Sequence, residues 1–91
     1  MQALDCAFIA AHYALEKKGL DLRLLEIKGM SSLTDYLMIV TGRSDRQVQA
    51  IAEAIRLGLK KEHQTLPLAV EGMDEGRCVV LDYGDGRIQV S

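Results

Sequence analysis

Tryptophan is absent from this chain, and no run of residues reaches the roughly 20 consecutive apolar positions that a membrane-spanning helix requires. Residues 1–20 carry charges and a helical period where a secretory signal would show a basic start and a continuous hydrophobic segment, so a cytoplasmic location is expected. Cys6 and Cys78 lie far apart, and neither has a CxxC or Cys/His neighbour. Both are read as reduced, small hydrophobes. Charge of one sign is also lacking. With 11 Lys and Arg against 13 Asp and Glu, the net charge of -2 excludes a sequence-independent nucleic-acid binder, which needs basic side chains to displace phosphate counterions. One phenylalanine and three tyrosines leave aliphatic side chains to supply the packing.

What is present fits one domain spanning residues 1–91, long enough to bury about 60 per cent of its unfolded surface. Leu4, Ala7, Phe8, Ala11 and Leu15 recur at helical spacing in a first helix over 3–18, with Gly19 as the stop. A strand over 22–27 and a polar loop over 28–34 follow. Residues 36–40 then form an apolar run that reads as a strand buried on both faces. Thr41, Gly42 and Arg43 break it. Ser44 and Gln47 have capping-box spacing, and Val48, Ile51, Ala52, Ile55 and Leu59 line a second helix over 45–61, where Gly58 invites fraying. Three short strands, 67–71, 78–83 and 87–90, complete the order, with the last two joined through Gly84, Asp85 and Gly86. The fold class is α/β (α+β): a mixed five-stranded sheet packed with two main helices, with a parallel crossover around the second.

Metal chemistry would have to come from Glu71, Asp82 and Asp85, which could converge at one end of the sheet; Asp beside a turn glycine more commonly binds its own backbone. No HExxH, HxxxH or Cys/His cluster surrounds His12 or His63, and the segment before the second helix has neither a Walker lysine nor GxGxxG spacing. Its amides could still receive an anion beside Arg43 and Arg46. Ser31, Ser32, Thr34 and Asp35 on one side of the apolar strand, with Thr41, Ser44 and Arg46 on the other, suggest a polar, pre-shaped end of the sheet suited to recognising a partner.

Those residues carry a resemblance. Ser31-Ser32-x-Thr34-Asp35-Tyr36, then Thr41-Gly42-x-Ser44-x-Arg46-x-Val48 and Ala50-Ile51-Ala52, with Glu71-Gly72 and Leu81-Asp82-Tyr83-Gly84-Asp85 as a second block, resemble the Iojap or ribosomal silencing factor S family. The resemblance covers nearly the whole chain. It implies a fold related to nucleotidyltransferases without their catalytic residues, no cofactor and no metal. It also implies binding to the large ribosomal subunit through its fourteenth large-subunit protein, where a bound factor sterically blocks the small subunit and represses translation. Homodimers are implied too. An acidic chain suits a basic ribosomal surface. Partner contacts are expected among Asp35, Tyr36, Thr41, Ser44, Arg46, Glu71, Asp82, Tyr83 and Asp85. The competing reading is a small nucleotidyltransferase-like enzyme using Asp82 and Asp85 on magnesium, against which the Gly-Ser signature of that chemistry is missing.

Departures from the family pattern include Cys78, where a tryptophan is usual, and the final segment 86–91. A C-terminal helical segment is expected of the family and is lacking here. The last strand is accordingly expected to be less covered, with a free edge.

Overall fold

The computed structural model describes residues 3–27 and 35–91. Its elements run α1 (Ala3–Glu16), β1 (Leu20–Glu26), β2 (Tyr36–Thr41), α2 (Asp45–His63), β3 (Ala69–Glu71), β4 (Val79–Asp82) and β5 (Gly86–Val90). This is the order that the hydrophobic periods predict. The strands form a five-stranded sheet in the order β1-β2-β5-β4-β3. β2 and β5 are parallel, and the other neighbouring pairs are antiparallel. Strands β2 and β3, on either side of α2 in the chain, therefore run in the same direction but are separated by β5 and β4. β5 is paired on both sides, so the free edge expected of the last strand belongs to β1 and β3 instead.

Both helices pack on one face. Cys6, Ala7, Ala10 and Ala14 of α1 join Val48, Ile51, Ala52, Ile55 and Leu59 of α2 in one buried cluster with Tyr36, Met38, Val40, Val79, Leu81, Ile88 and Val90. The strand residues in that cluster share one side of the pleat. Burying each large aliphatic contributes about 1.5 to 3 kcal/mol. Among the described residues no helix lies on the opposite face, where Leu37, Ile39 and Thr41 are half-buried, so β2 is not the doubly buried strand expected.

The first helix turns differently from the expected stripe. Its alanines and Cys6 face the core, while Leu4, Phe8 and Leu15 are 43%, 63% and 57% exposed. Small side chains allow close approach to the sheet, and helical period alone does not say which of two apolar arcs does so. Lys18, not Gly19, takes the left-handed conformation at its end (φ 66°). Gly19 is required for space: a Cβ there would lie 2.7 Å from Val40 Cγ2.

The Ser44 half of the capping box forms at α2 as its spacing predicts, with Gln47 N–H donating to Ser44 Oγ at 3.1 Å. The Gln47 side chain does more. Its Oε1 accepts from the Arg43 N–H, and its Nε2 donates to the Lys17 and Lys18 carbonyls at 3.2 Å each, tying the end of α1 to the start of α2. At the other end α2 does not fray at Gly58. It continues to His63, and Gln64 closes it in the left-handed conformation, with its N–H donating to the Lys60 carbonyl and that of Thr65 to Leu59. Gly58 is buried because the Tyr13 ring lies over it, and the Tyr13 hydroxyl donates to Glu62.

Candidate functional site: the two ends and the open face of the sheet

The candidate residues do not share one end. Asp35, Tyr36, Asp82, Tyr83 and Asp85 gather where β2 begins and β4 turns into β5, because Tyr36 is in register with Gly86 and Asp82 with Arg87. Asp35 and Tyr36 donate their N–H groups to the Asp85 carbonyl at 2.7 and 3.3 Å. Thr41, Ser44 and Arg46 lie at the far end of β2, about 15 to 20 Å away at the rise of a strand. Glu71, on edge strand β3, pairs with Val80. Ser31, Ser32 and Thr34 fall outside the described residues.

Several of these side chains already have a structural task. Asp82 Oδ1 accepts from the Gly84 N–H at 2.9 Å, as an aspartate that shapes its own turn does, and Oδ2 lies 3.7 Å from Arg87. Ser44 is the helix cap. Tyr36 has no exposed surface, and its ring occupies the space above Gly86, where a Cβ would fall 1.9 Å from Cζ. Its hydroxyl and that of Tyr83 are buried with no hydrogen-bond partner among the described residues. Burial, chiefly, raises the Tyr36 phenol far above its ordinary value, with Cys6 and Asp85 adding to it. Burial likewise pushes Tyr83 up to about 12, against the lowering influence of Arg56. Burial also raises the neighbouring Cys6 thiol, with Asp85 contributing. Both phenols and the thiol therefore stay neutral across the physiological range. Cys6 is a buried hydrophobe as expected, whereas Cys78, just ahead of β4, is exposed.

Among the described residues, no three His, Cys, Asp or Glu side chains are placed to hold one metal ion, and no helix is long and apolar enough to cross a membrane. With Asp82 committed to its turn and Glu71 two strand positions away along the β3–β4 ladder, convergence of Glu71, Asp82 and Asp85 does not occur.

What sequence reasoning missed is the uncovered face. One cross-strand row runs Leu25, Leu37, Arg87, Asp82 and Ala69, and the next runs Arg23, Ile39, Gln89, Val80 and Glu71. On this face Leu25, Leu37 and Ile39 of β1 and β2 are separated from Val80 of β4 by Arg87 and Gln89 of the central strand β5, with Arg23, Asp82 and Glu71 beside them, a mixed apolar and charged surface of the composition protein contacts use. The signal was available in β1 and β5, where Leu22-Arg23-Leu24 and Arg87-Ile88-Gln89 alternate with period two. Three candidates, Thr41, Glu71 and Asp82, lie on this face.

Comparison with known proteins places this arrangement. A family described as "ribosomal silencing factor during starvation" matches residues 1–90. The ribosomal silencing factor RsfS of Bacillus subtilis is 39% identical over 82 residues, covering 90% of this chain and 69% of its own length. That of Chromobacterium violaceum is 29% identical over 90 residues, covering 99% and 73%. A crystal structure of a Chromobacterium violaceum protein superposes with a TM-score of 0.94 at 29% identity, over 99% of this chain and 74% of the other. One from Bacillus halodurans gives 0.87 at 30% identity, over 96% and 80%. On the strength of the family match and these relatives, the chain belongs to the ribosomal silencing factor family.

Proposed function

We propose that this protein is a non-catalytic repressor of translation that acts in the cytoplasm. It binds the large ribosomal subunit at its fourteenth large-subunit protein and sterically prevents association with the small subunit. The observation that carries this reading is the sheet face left open by the described residues, where half-buried Leu37, Ile39 and Val80 alternate with Arg87 and Gln89 of the central strand and are flanked by Arg23 and Glu71, in a chain of the silencing-factor family. A repressor of this kind needs a rigid surface and no reacting group. Apolar side chains interleaved with charged ones supply affinity through the former and orientation through the latter. Of the candidate contacts, Asp35, Arg46, Glu71 and Asp85 are exposed and Thr41 sits half-buried on the open face, so these are the residues assigned to the interface. Tyr36 and Ser44 shape it from behind, and Asp82, on the open face, holds the turn that leads into β5. Self-association into a homodimer belongs to the same reading.

The test is cosedimentation with purified large subunits together with inhibition of their joining to small subunits. The wild-type chain should do both. Ile39→Glu, which places a charge among the apolar side chains of the open face without touching the buried one, should weaken binding at least about tenfold, as loss of an interface anchor does. A chain that neither cosediments nor slows joining overturns the reading.

A further inference from the structure

Tyr83 is turned inward, where a tyrosine near solvent normally buries its ring and leaves its hydroxyl wet. The residue as a whole is half-buried at the margin of the core, yet its hydroxyl is enclosed. The hydroxyl of fully buried Tyr36 is enclosed as well, and neither has a hydrogen-bond partner among the described residues. Left so, each phenol would lower the folding constant on the order of tenfold. A polar partner shared by both avoids that cost.

Register brings the two side chains together. Tyr36 pairs with Gly86 across the parallel β2–β5 ladder, and the Tyr83 N–H donates to the Gly86 carbonyl at 2.8 Å, one step beyond the Asp82–Arg87 pair. Tyr36, Gly86 and Tyr83 thus form one cross-strand row, and a row shares one face of the pleat, here the helix side, where both tyrosines meet the buried cluster. Glycine leaves the middle of the row without a side chain, and Tyr36 leans into that place: a Cβ at position 86 would lie 2.3 Å from its hydroxyl oxygen. The hydroxyl therefore stands one strand from the Tyr83 position instead of two, about 4.8 Å. Two hydrogen bonds of about 2.8 Å meeting at one water span about 4.5 to 5.5 Å, a gap of the same order. After burial, Cys6 of α1 is among the groups that raise both phenols, so its thiol lies near each and offers a weak third contact.

We propose that Tyr36, Tyr83 and Cys6 form a binding site for one internal water, hydrogen-bonded to both hydroxyls and lying against the thiol. About three polar contacts are the normal complement of such a water. It joins β2 to β4 over the top of β5, so the end of the sheet that carries Asp35 and Asp85 is held by side chains as well as by the backbone ladders. The site goes beyond the ribosomal reading and does not depend on it.

Urea unfolding of the full chain at neutral pH reads the site through Tyr36→Phe, Tyr83→Phe and the double variant, and the sign of the effect decides. A hydroxyl bound to water is missed when it is removed, so each single variant should lower the folding constant about threefold to tenfold. An unpartnered hydroxyl is a burden, and its removal leaves the constant unchanged or raises it. Because both hydroxyls hold the same water, the double variant should fall short of the product of the two single losses by at least about threefold. A crystal structure of the wild-type chain should show one water oxygen about 2.5 to 3.0 Å from both Oη atoms. Single variants as stable as the wild type or more so, losses that multiply in the double variant, separate waters on the two hydroxyls, no water between them, or a protein atom bonded to either one overturns the proposal.

Discussion

Replacing Gly86 by alanine tests how tightly the polar end of the sheet is built. Alanine suits a strand interior better than glycine by about 0.5 to 1 kcal/mol, so local preference predicts a gain. The structure predicts the reverse. A Cβ at position 86 would lie 1.9 Å from Tyr36 Cζ and 2.1 Å from Cε1, and Tyr36 has no exposed surface into which its ring could swing. Either the ring leaves its site, which for a large buried aromatic costs about 3 to 5 kcal/mol, or the strands part at an overpacking cost of about 1 to 3 kcal/mol. A net destabilisation of about 2 to 4 kcal/mol follows, a large share of the 5 to 15 kcal/mol typical of whole domains. In a chain of this length that lowers the melting temperature by about 10 to 25 °C. Urea and thermal unfolding measure it. Tyr36→Leu on its own leaves a gap and destabilises, but combined with Gly86→Ala it should cost at least about 1 kcal/mol less than the two separate effects together, because the new methyl enters the space that the ring vacates. A Gly86→Ala protein within about 0.5 kcal/mol of wild type, or additive behaviour in the double variant, would refute the reasoning.

Gly58→Ala sets the same opposition on a helix: alanine gains about 1 kcal/mol in propensity, but its Cβ would lie 2.3 Å from Tyr13 Cε2, so the variant should lose about 1 to 2 kcal/mol in urea melts, and a stabilised variant contradicts this. Gln47→Ala should cost about 1 to 2 kcal/mol, since both the bond from the Arg43 N–H and the tie to the Lys17 and Lys18 carbonyls disappear. Gln47→Glu should also destabilise, although glutamate suits a capping box, because it cannot donate to those carbonyls; wild-type stability for this variant would remove the tie from the account. Stability should also fall in alkali. Tyr36 and Tyr83 are raised in the folded chain, Tyr83 to about 12, so from about pH 10 upward the unfolded chain gives up protons that the folded one keeps. Each tyrosine removes about 1.4 kcal/mol per pH unit in that window, and the full contribution is present below it. Urea midpoints at pH 9 and pH 11 should differ by about 2 to 3 kcal/mol more in wild type than in a Tyr36→Phe, Tyr83→Phe variant; equal slopes would count against the assignment.

Periodicity alone determined the order of elements, because each segment carries its own repeat: 3.6 in 45–61 and a continuous apolar run in 36–40. The capping box was equally legible, since Ser44 and Gln47 sit within one turn and need no distant partner. The family motifs named the family for the same reason, being local and ordered.

Only the tertiary structure decided which apolar arc of α1 is buried. Cys6, Ala7, Ala10 and Ala14 go inward because close packing on the sheet favours small side chains there, leaving Phe8 outside. Strand order had the same character: β5 pairs between β2 and β4, so the last segment of the chain is central to the sheet. The candidate residues were divided by register as well. Tyr36 and Asp85 meet through the parallel β2–β5 ladder, whereas Ser44 is held a strand's length away, and Asp82 bends back to its own turn. Sequence fixes what each segment can bury; which face it presents, and to which neighbour, is a property of the assembled sheet, because pairing and packing join residues that no local repeat relates.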